Sequence, residues 1–465
     1  MNIKQNIISN FLGNGYVVIL QIALVPFLLK YLGAEAYGLI GVYVTLLAAF
    51  NMIDLGLSPA LSRELARLST SPSLARLMRS TVTTLECIYI VIALLIIGVF
   101  YFFSPLIAEY WLNNNSLPKT TISTCLQLMG VQCAMQFLTN YYTYGLQGLQ
   151  QIILANTILA ANHTFRAVAG LFVLVALSAG VEVYFYSQLI FTLMGLFLTA
   201  FALYQVLPKA DVSNNLMVLK WQKLKSRFSL ERFNACKRFA AGMTIISTCS
   251  FFIMQVDKII LSKLVSLEQF GYYAAAVSVA VTVSGAAGMV SRSVLPRMTQ
   301  LVAQNEIEQL EVLYLKSSAL VAWIVLPISG SLIVFRHHFL SVYLGDIDKV
   351  EHITSVFALL MFGYAVHSLL YIPMALSLAY GWTRYGVNIS LLAIIAFTPI
   401  TIYSIFQYGI VGAAATWVLL SIGYLILSPI YLHRKLLKGF TSKLYLSFTL
   451  QLMILFIMCL YSYIN

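Results

Sequence analysis

Thirteen apolar runs, each near the length of a membrane-spanning helix, follow one another along the chain, and this feature limits its fold more than any other. They lie at 7–29, 38–60, 81–103, 122–145, 153–178, 183–206, 239–262, 273–295, 314–334, 353–378, 386–405, 410–431 and 444–464. A helix needs about 20 apolar residues to cross a bilayer core. With 60% hydrophobic and only 9% charged residues, the chain could not hide its apolar surface from water. The sequence therefore predicts an all-α integral membrane protein.

Lys and Arg residues are divided unevenly between alternate loops. With a cytoplasmic N-terminus, 21 of the 28 fall in cytoplasmic loops, five in external loops, and Arg166 and Lys258 within the membrane. This is the asymmetry of the positive-inside rule. The formal net charge of +12 therefore indicates orientation and attraction to anionic membrane lipids, and no nucleic-acid partner is expected.

The two halves of the chain resemble each other at a nearly constant offset. An offset of 233 residues relates Leu28, Lys30, Glu35, Tyr37, Gly38 and Gly148 to Leu261, Lys263, Glu268, Phe270, Gly271 and Gly381, and an offset of 232 relates Gly180 to Gly412. Both halves start on the same side, so the repeat is parallel. It predicts two parallel six-helix bundles related by a pseudo-two-fold axis along the membrane normal, with a pathway between them.

This repeat predicts four regions. They are an N-lobe at 1–206, a basic cytoplasmic linker at 207–238, a C-lobe at 239–432, and a basic loop with an extra thirteenth transmembrane helix at 433–465.

Polar side chains recur at helical spacing within several spans. Gln132, Gln136 and Asn140 form one face of the fourth span, while Asn14 lies on the first and Gln255 on the seventh. Polar residues in a span either join neighbouring helices or face a hydrated cavity. Stripes in both halves favour the cavity.

Arg166 lies near the middle of the fifth span, with His163 one turn away on the same face. A midplane Arg costs at least about 2.5–3.5 kcal/mol on insertion scales, so a partner must compensate it. That partner is either a structural group, such as a carboxylate, or an anion in the pathway. The guanidinium fork matches phosphate oxygens, which makes a diphosphate a natural guest.

Other charged residues are candidates for the same pathway. Asp257 and Lys258 lie toward the outer end of the seventh span; as helix neighbours they are not expected to pair, and Lys258 alternatively snorkels outward. Arg63 and Arg292 flank the inner mouth, either collecting an anionic head group or anchoring the helices.

Two further side chains are candidates for ion coupling. Asp54 either pairs with an Arg or titrates, and His367 is either a proton site or a hydrogen-bonded core histidine. The six cysteines show no CxxC spacing, so neither a metal site nor a disulfide is expected.

Three segments resemble a known family. VDKIILSKLVSLEQFGYYAAAVSV, DLGLSPALSREL and YGIVGAAATWVL are similar to segments of Wzx-type O-antigen flippases, in the superfamily that includes MATE multidrug exporters and lipid II flippases (the MOP superfamily). Asp257, Lys258, Gly271 and Tyr272 match the family's motif at helices 7 and 8, and Asp54 and Arg63 match that at helix 2. The thirteenth span departs from the commoner twelve-helix form.

The resemblance implies a flippase of the bacterial inner membrane. It would move undecaprenyl-diphosphate-linked oligosaccharide from the cytoplasmic to the periplasmic leaflet by alternating access through a cationic lumen. It implies no cofactor beyond a coupling ion, proton or sodium, and a functional monomer, with a polysaccharide polymerase and a chain-length regulator as candidate partners.

Two alternatives remain at this point. A MATE-like multidrug or cation antiporter shares the architecture but is expected to carry acidic cation sites. A membrane oligosaccharide polymerase or ligase needs a sizeable external catalytic loop, whereas the longest predicted outer loops, 104–121 and 335–352, have no acid–base cluster. An enzyme is therefore not expected.

Overall fold

The computed structural model describes residues 3–53, 57–69, 74–113, 117–177, 180–208, 248–249, 251–344, 347–436 and 440–464. The helices in this part of the chain are α1 (Ile3–Leu32), α2 (Ala34–Ile53), α3 (Leu57–Leu68), α4 (Ala75–Tyr110), α5 (Lys119–Gly148), α6 (Ile152–Ala176), α7 (Val181–Val206), α8 (251–264), α9 (Leu267–Ala303), α10 (Ile307–Val334), α11 (Arg336–Leu344), α12 (Ile347–Ser368), α13 (Tyr371–Ala379), α14 (Thr383–Lys435) and α15 (Phe440–Ile464).

The predicted all-α membrane fold is confirmed. Within the described residues, eight helices are long and apolar enough to cross a membrane. One of them, α14, contains the eleventh and twelfth predicted spans, and it is kinked at Gly409, whose φ of 56° departs from helical geometry. This left-handed backbone is accessible to glycine at little cost, so the predicted boundary between the two spans falls on the kink.

The helices form two compact units. The first contains Met1–Gln21 and Val42–Phe251, and the second contains Ile22–Gly41 and Phe252–Asn465. The predicted lobes and the six-helix composition of each stay predictions. Residues 209–238 of the predicted linker and 239–247 of the predicted C-lobe lie outside the described part.

The first unit has an aromatic core where α4 meets α5. The rings of Tyr89 and Phe137 are stacked at 4.6 Å, and Tyr141 lies 4.5 Å from Tyr89. Tyr89 and Tyr141 are fully buried. Large buried rings dominate the packing of a core. The polar faces of α5, α6 and α7 meet in another part of the first unit.

In the second unit, the start of α2 packs against α9 through small residues. A Cβ on Gly38 would overlap the carbonyl oxygen of Leu267, and one on Gly271 would overlap that of Ala34. One turn further, a Cβ on Gly41 would lie 2.8 Å from that of Ala274. Small residues at such crossings let helix backbones approach closely.

The C-terminal helix α15 packs along α10. Met458 fills the space beside Gly330, where a Cβ would lie 2.7 Å from its sulfur. In the amide orientation that satisfies both of its ends, Gln451 accepts a hydrogen bond from Trp323 Nε1 at 2.8 Å. Thus α15 is an integral part of the second unit.

Candidate functional site

Arg166 is held in a defined orientation between α6 and α7. Its Nε donates to Gln188 Oε1 at 2.9 Å, and Gln188 Nε2 donates to the Arg166 carbonyl oxygen at 2.9 Å. Gln188 is buried, so its amide is fixed by both bonds. This reciprocal pair uses only the Nε of the guanidinium, so the two terminal nitrogens are not needed to hold the side chain in place.

The surroundings of Arg166 do not neutralise its charge. Among the described residues, no carboxylate lies within ion-pair distance of it. It interacts electrostatically with Tyr43, His163 and Tyr184. The Tyr43 hydroxyl is buried nearby without a well-formed hydrogen bond to the described residues. The Tyr43 hydroxyl therefore lies beside the guanidinium as one of its neighbours.

Arg166 and His163 line a small cavity inside the first unit. Gln136, Thr139 and Thr143 from α5, Asn162 from α6 and Thr199 from α7 complete most of its polar wall. Asn162 reaches the wall because Gly195 has no side chain; a Cβ there would overlap its amide. The buried Oδ1 of Asn162 has no hydrogen-bond partner in the described structure, which suits a cavity that holds water or polar ligand groups.

The predicted polar stripe of α5 divides between two roles. Gln136 lines the cavity and donates to Asn140 Oδ1 at 3.3 Å. Gln132 is fully buried and donates to the Phe185 carbonyl oxygen at 2.7 Å, joining α5 to α7. Helical spacing therefore identified the face but did not separate its lining residues from its interhelical ones.

Asp257 and Lys258 form an ion pair in the second unit, so the expectation that they do not pair was wrong. Lys258 Nζ lies 3.3 Å from Asp257 Oδ1, with both side chains about a tenth exposed (11% and 12%). Nζ also donates to the Met254 carbonyl oxygen at 2.6 Å, and Tyr273 Oη donates to Asp257 Oδ2 at 2.6 Å. The Cβ atoms of neighbouring helical residues point in different directions. The long lysine side chain nevertheless folds back along α8, so that Nζ reaches the Asp257 carboxylate.

A second cavity lies between α8 and α14, lined in part by Asp257, Thr416 and Trp417. Nearby, the His367 ring lies 5.4 Å from that of Trp417. Gln255 Oε1, His367 Nδ1 and Trp417 Nε1 are buried without hydrogen-bond partners among the described residues. Buried polar atoms of this kind are usually satisfied by ordered water.

Arg292 does not line either of the two cavities. Arg292 is exposed on α9, and Arg63 and Asn14 lie on α3 and α1. Asp54 lies outside the described residues. In the described part of the chain, no three His, Cys, Asp or Glu side chains are grouped as metal ligands would be.

Sequence reasoning missed Glu86. This carboxylate lies on α4 within an apolar span and accepts hydrogen bonds from Tyr142 on α5 and Tyr204 on α7. An acidic residue inside a span is itself a signal of function, so the sequence held the necessary information.

Comparisons with known proteins agree with this architecture. A family model described as polysaccharide biosynthesis protein matches residues 3–302. Over 422 residues the chain is 20% identical to the "Putative O-antigen transporter" of Shigella flexneri, which covers 90% of this chain and 94% of that one.

Solved structures share the fold. The lipid II flippase MurJ in an inward closed conformation matches with a TM-score of 0.71 and 16% identity, covering 96% of this chain and 91% of that one. An inward-facing multidrug resistance MATE family transporter of the MOP superfamily matches with a TM-score of 0.64 and 13% identity, covering 96% and 95%.

Proposed function

Because this chain belongs to the polysaccharide biosynthesis protein family, we propose that it is a flippase for undecaprenyl-diphosphate-linked oligosaccharide, an O-antigen or related surface polysaccharide repeat unit. It moves this lipid from the cytoplasmic to the periplasmic leaflet of the bacterial inner membrane by alternating access. The shared fold with MOP-superfamily transporters and the name of the Shigella flexneri relative support transport over catalysis.

One observation carries the proposal: Arg166 is an oriented cation within a membrane-spanning helix and has no carboxylate partner among the described residues. It is the fifteenth residue of α6, about 21 Å along the helix axis. Gln188 orients its guanidinium, and no described carboxylate pairs with it. A diphosphate supplies the missing negative charge, and its oxygens fit the planar donor fork.

The polar side chains beside Arg166 suit the hydroxyl-rich remainder of such a substrate head group once the small cavity opens during transport. Gln136 and Asn162 present amides, and Thr139 and Thr143 present hydroxyls. These groups exchange hydrogen bonds with water or sugar hydroxyls without requiring one glycan. His163 lies on the same wall, where it is a candidate for coupling to a proton or sodium ion.

The other charged residues have supporting roles in this proposal. Arg63 and Arg292 attract the anionic head group at the cytoplasmic mouth. Lys258 is already paired with Asp257, so it contributes only if the pair opens during transport. The protein acts as a monomer with its N-terminus in the cytoplasm, needs no cofactor, and supplies substrate to a polymerase and a chain-length regulator.

The proposal is tested by loss of function in the cell of origin. A strain without this protein should accumulate lipid-linked repeat units on the cytoplasmic side, and the wild-type gene should restore their export. Arg166→Ala should fail to restore it, whereas Arg166→Lys should restore part. Lys119→Ala, which removes an exposed charge at the start of α5, is the matched control and should restore it fully.

Full export with Arg166→Ala would overturn the anion site. If translocation continued in the deletion strain while polymer length fell, a polymerase or ligase would be the better assignment. A MATE-like antiporter, which shares the fold, would instead show gradient-driven drug or cation efflux with no change in lipid-linked intermediates.

A further inference from the structure

We propose that Glu86 is a proton-binding site of the first unit, through which proton uptake is coupled to transport. The inference rests on the proposed function for the coupling, but the proton site itself stands on the geometry of Glu86. Its hydrogen-bond partners, Tyr142 and Tyr204, are not among the residues that line the cavity beside Arg166.

Glu86 joins three helices through its two carboxylate oxygens. Oε1 accepts from the Tyr142 hydroxyl of α5, and Oε2 accepts from the Tyr204 hydroxyl of α7. Tyr142 is buried, whereas Tyr204 is 37% exposed. The carboxylate is therefore one side chain away from the surface of the unit, and a proton has a short path to it.

The groups that face this carboxylate are phenols. Tyr141 and Tyr142 come from α5, and Tyr204 comes from α7. Tyr89 on α4 lies against Tyr141. The neighbouring helix α3 directs Ser58 to the Tyr89 hydroxyl at 2.8 Å. Among the described residues, no Lys, Arg or His contacts Glu86. Its charge thus has hydrogen-bond donors but no counter-ion among the described residues, and an acidic group of this kind within an apolar span is a candidate for proton uptake.

Two tyrosine hydroxyls can satisfy either protonation state. The ionised carboxylate accepts from both of them. When a proton from water binds one oxygen, the new O–H donates, and one tyrosine must turn its hydroxyl so that its oxygen accepts. No other covalent bond forms or breaks. The neutral acid replaces two charge-assisted hydrogen bonds with weaker ones, which loosens the attachment of α4 to α7.

This change acts close to the end of α7. Arg79 lies on α4 about two turns before Glu86. Its Nε donates to the Pro208 carbonyl at 2.8 Å, and its Nη2 donates to that of Leu207 at 3.2 Å. These residues follow α7 and lead into the predicted linker. In the proposed orientation this is the cytoplasmic end of α7. α4 therefore contacts α7 and the residues that follow it through both Arg79 and Glu86, and of these two only Glu86 takes up a proton in this proposal.

The proton site can be measured without transport. Infrared difference spectroscopy on the purified wild-type protein, titrated from neutral to acidic pH, should show a carboxyl band that Glu86→Gln lacks. Tyr204→Phe should shift the midpoint of this band, since it removes one donor to the carboxylate. Glu109→Gln, which changes an exposed carboxylate on the same helix, is the control and should retain the band.

An unchanged band in Glu86→Gln would overturn the proton site, and so would an unchanged midpoint in Tyr204→Phe. Should Glu86→Gln fail to fold, Tyr204→Phe still decides the matter, because it keeps the carboxyl group.

Coupling is measured in proteoliposomes with lipid-linked oligosaccharide. A pH gradient should stimulate flipping by the wild-type protein and by Glu109→Gln, but not by Glu86→Gln. Equal stimulation of all three would overturn the coupling. If the wild-type protein flips no such lipid, the proposed function fails, while the infrared band still decides whether Glu86 binds a proton.

Discussion

Gly38 and Gly271 occupy equivalent positions in the two halves of the sequence, and each lies against a backbone carbonyl of the other's helix. Gly38 faces the Leu267 oxygen, and Gly271 faces that of Ala34; Ala34 and Leu267 are themselves related by the 233-residue offset. Such reciprocal contacts are the signature of a two-fold interface. The internal repeat therefore corresponds to a local pseudo-two-fold contact between α2 and α9.

Replacing either glycine should destabilise this crossing. We expect Gly38→Ala and Gly271→Ala each to cost about 1–3 kcal/mol, because the added methyl group meets backbone and the helices must separate. The two losses should not add, since both substitutions open the same interface. Thermal unfolding of the detergent-solubilised protein measures both. Gly98→Ala on α4, where no atom lies within 4 Å of the added Cβ, should leave the midpoint unchanged or slightly raised.

Gln188 is expected to matter through Arg166. Gln188→Ala removes the hydrogen bond that orients the guanidinium and leaves the charge in place. Loss of bonds worth about 1–2 kcal/mol should lower export about tenfold, less than the loss in Arg166→Ala. Export assays of lipid-linked repeat units measure this. The matched control is Gln205→Ala on the exposed face of α7, and equal loss in both glutamine variants would exclude a positioning role.

The Asp257–Lys258 pair is expected to behave as a buried unit. Asp257→Asn or Lys258→Met alone should destabilise the protein by about 3–5 kcal/mol, because each leaves one charge without its partner. The double variant should lose less than the sum of the two. A double-mutant cycle on thermal unfolding tests this, with Tyr273→Phe as a milder third variant that removes only the bond to Asp257 Oδ2. Strict additivity would show that the pair contributes nothing.

The C-terminus is expected on the periplasmic side. Trp323 on α10 contacts Gln451 on α15, and seven residues further along each helix Gly330 contacts Met458. Because the residue numbers rise in the same direction, α15 runs parallel to α10. With a cytoplasmic N-terminus, α10 runs outward, and α15 should do the same. A C-terminal alkaline phosphatase fusion should therefore be active and a C-terminal green fluorescent protein fusion dark. The reverse pattern would place α15 outside the membrane or invert the topology.

His433 connects the first turn of α15 to the rest of the second unit. It is fully buried, with Nε2 2.9 Å from Tyr314 Oη and Nδ1 3.1 Å from Thr441 Oγ1. We expect Thr441→Val to cost about 1 kcal/mol, because it leaves a buried ring nitrogen without its partner. Thermal unfolding compares it with Thr449→Val, which changes an exposed threonine on the same helix.

The sequence alone predicted the class of this protein well, because apolar length and charge asymmetry are properties of segments and do not depend on how the segments meet. Long apolar helices were predicted from the length of the apolar runs, and the predicted boundary between the eleventh and twelfth runs falls on the kink at Gly409. The family could be recognised from short motifs such as that around Asp257.

Contacts between helices could not be predicted from spacing within one helix. Gln132 and Gln136 lie one turn apart on the same predicted face, yet the first joins α5 to α7 and the second lines a cavity. The Asp257–Lys258 pair was not predicted, because neighbouring Cβ atoms on a helix point apart. That argument left out the length of the lysine side chain, which can bend back to its neighbour. Glu86 was visible in its span, but only α5 and α7 supply the tyrosines that make it a site.

The sequence by itself determined that the chain is an all-α membrane protein with many apolar helices, since hydrophobic transfer acts locally along the chain. The side on which the N-terminus lies and the relation between the two halves stay predictions. Only the tertiary structure decided that Arg166 is oriented by Gln188, that Gly38 meets Gly271, and that Glu86 is held by Tyr142 and Tyr204. Side-chain partners are set by how helices distant in sequence pack together, and spacing within one helix carries no record of that packing.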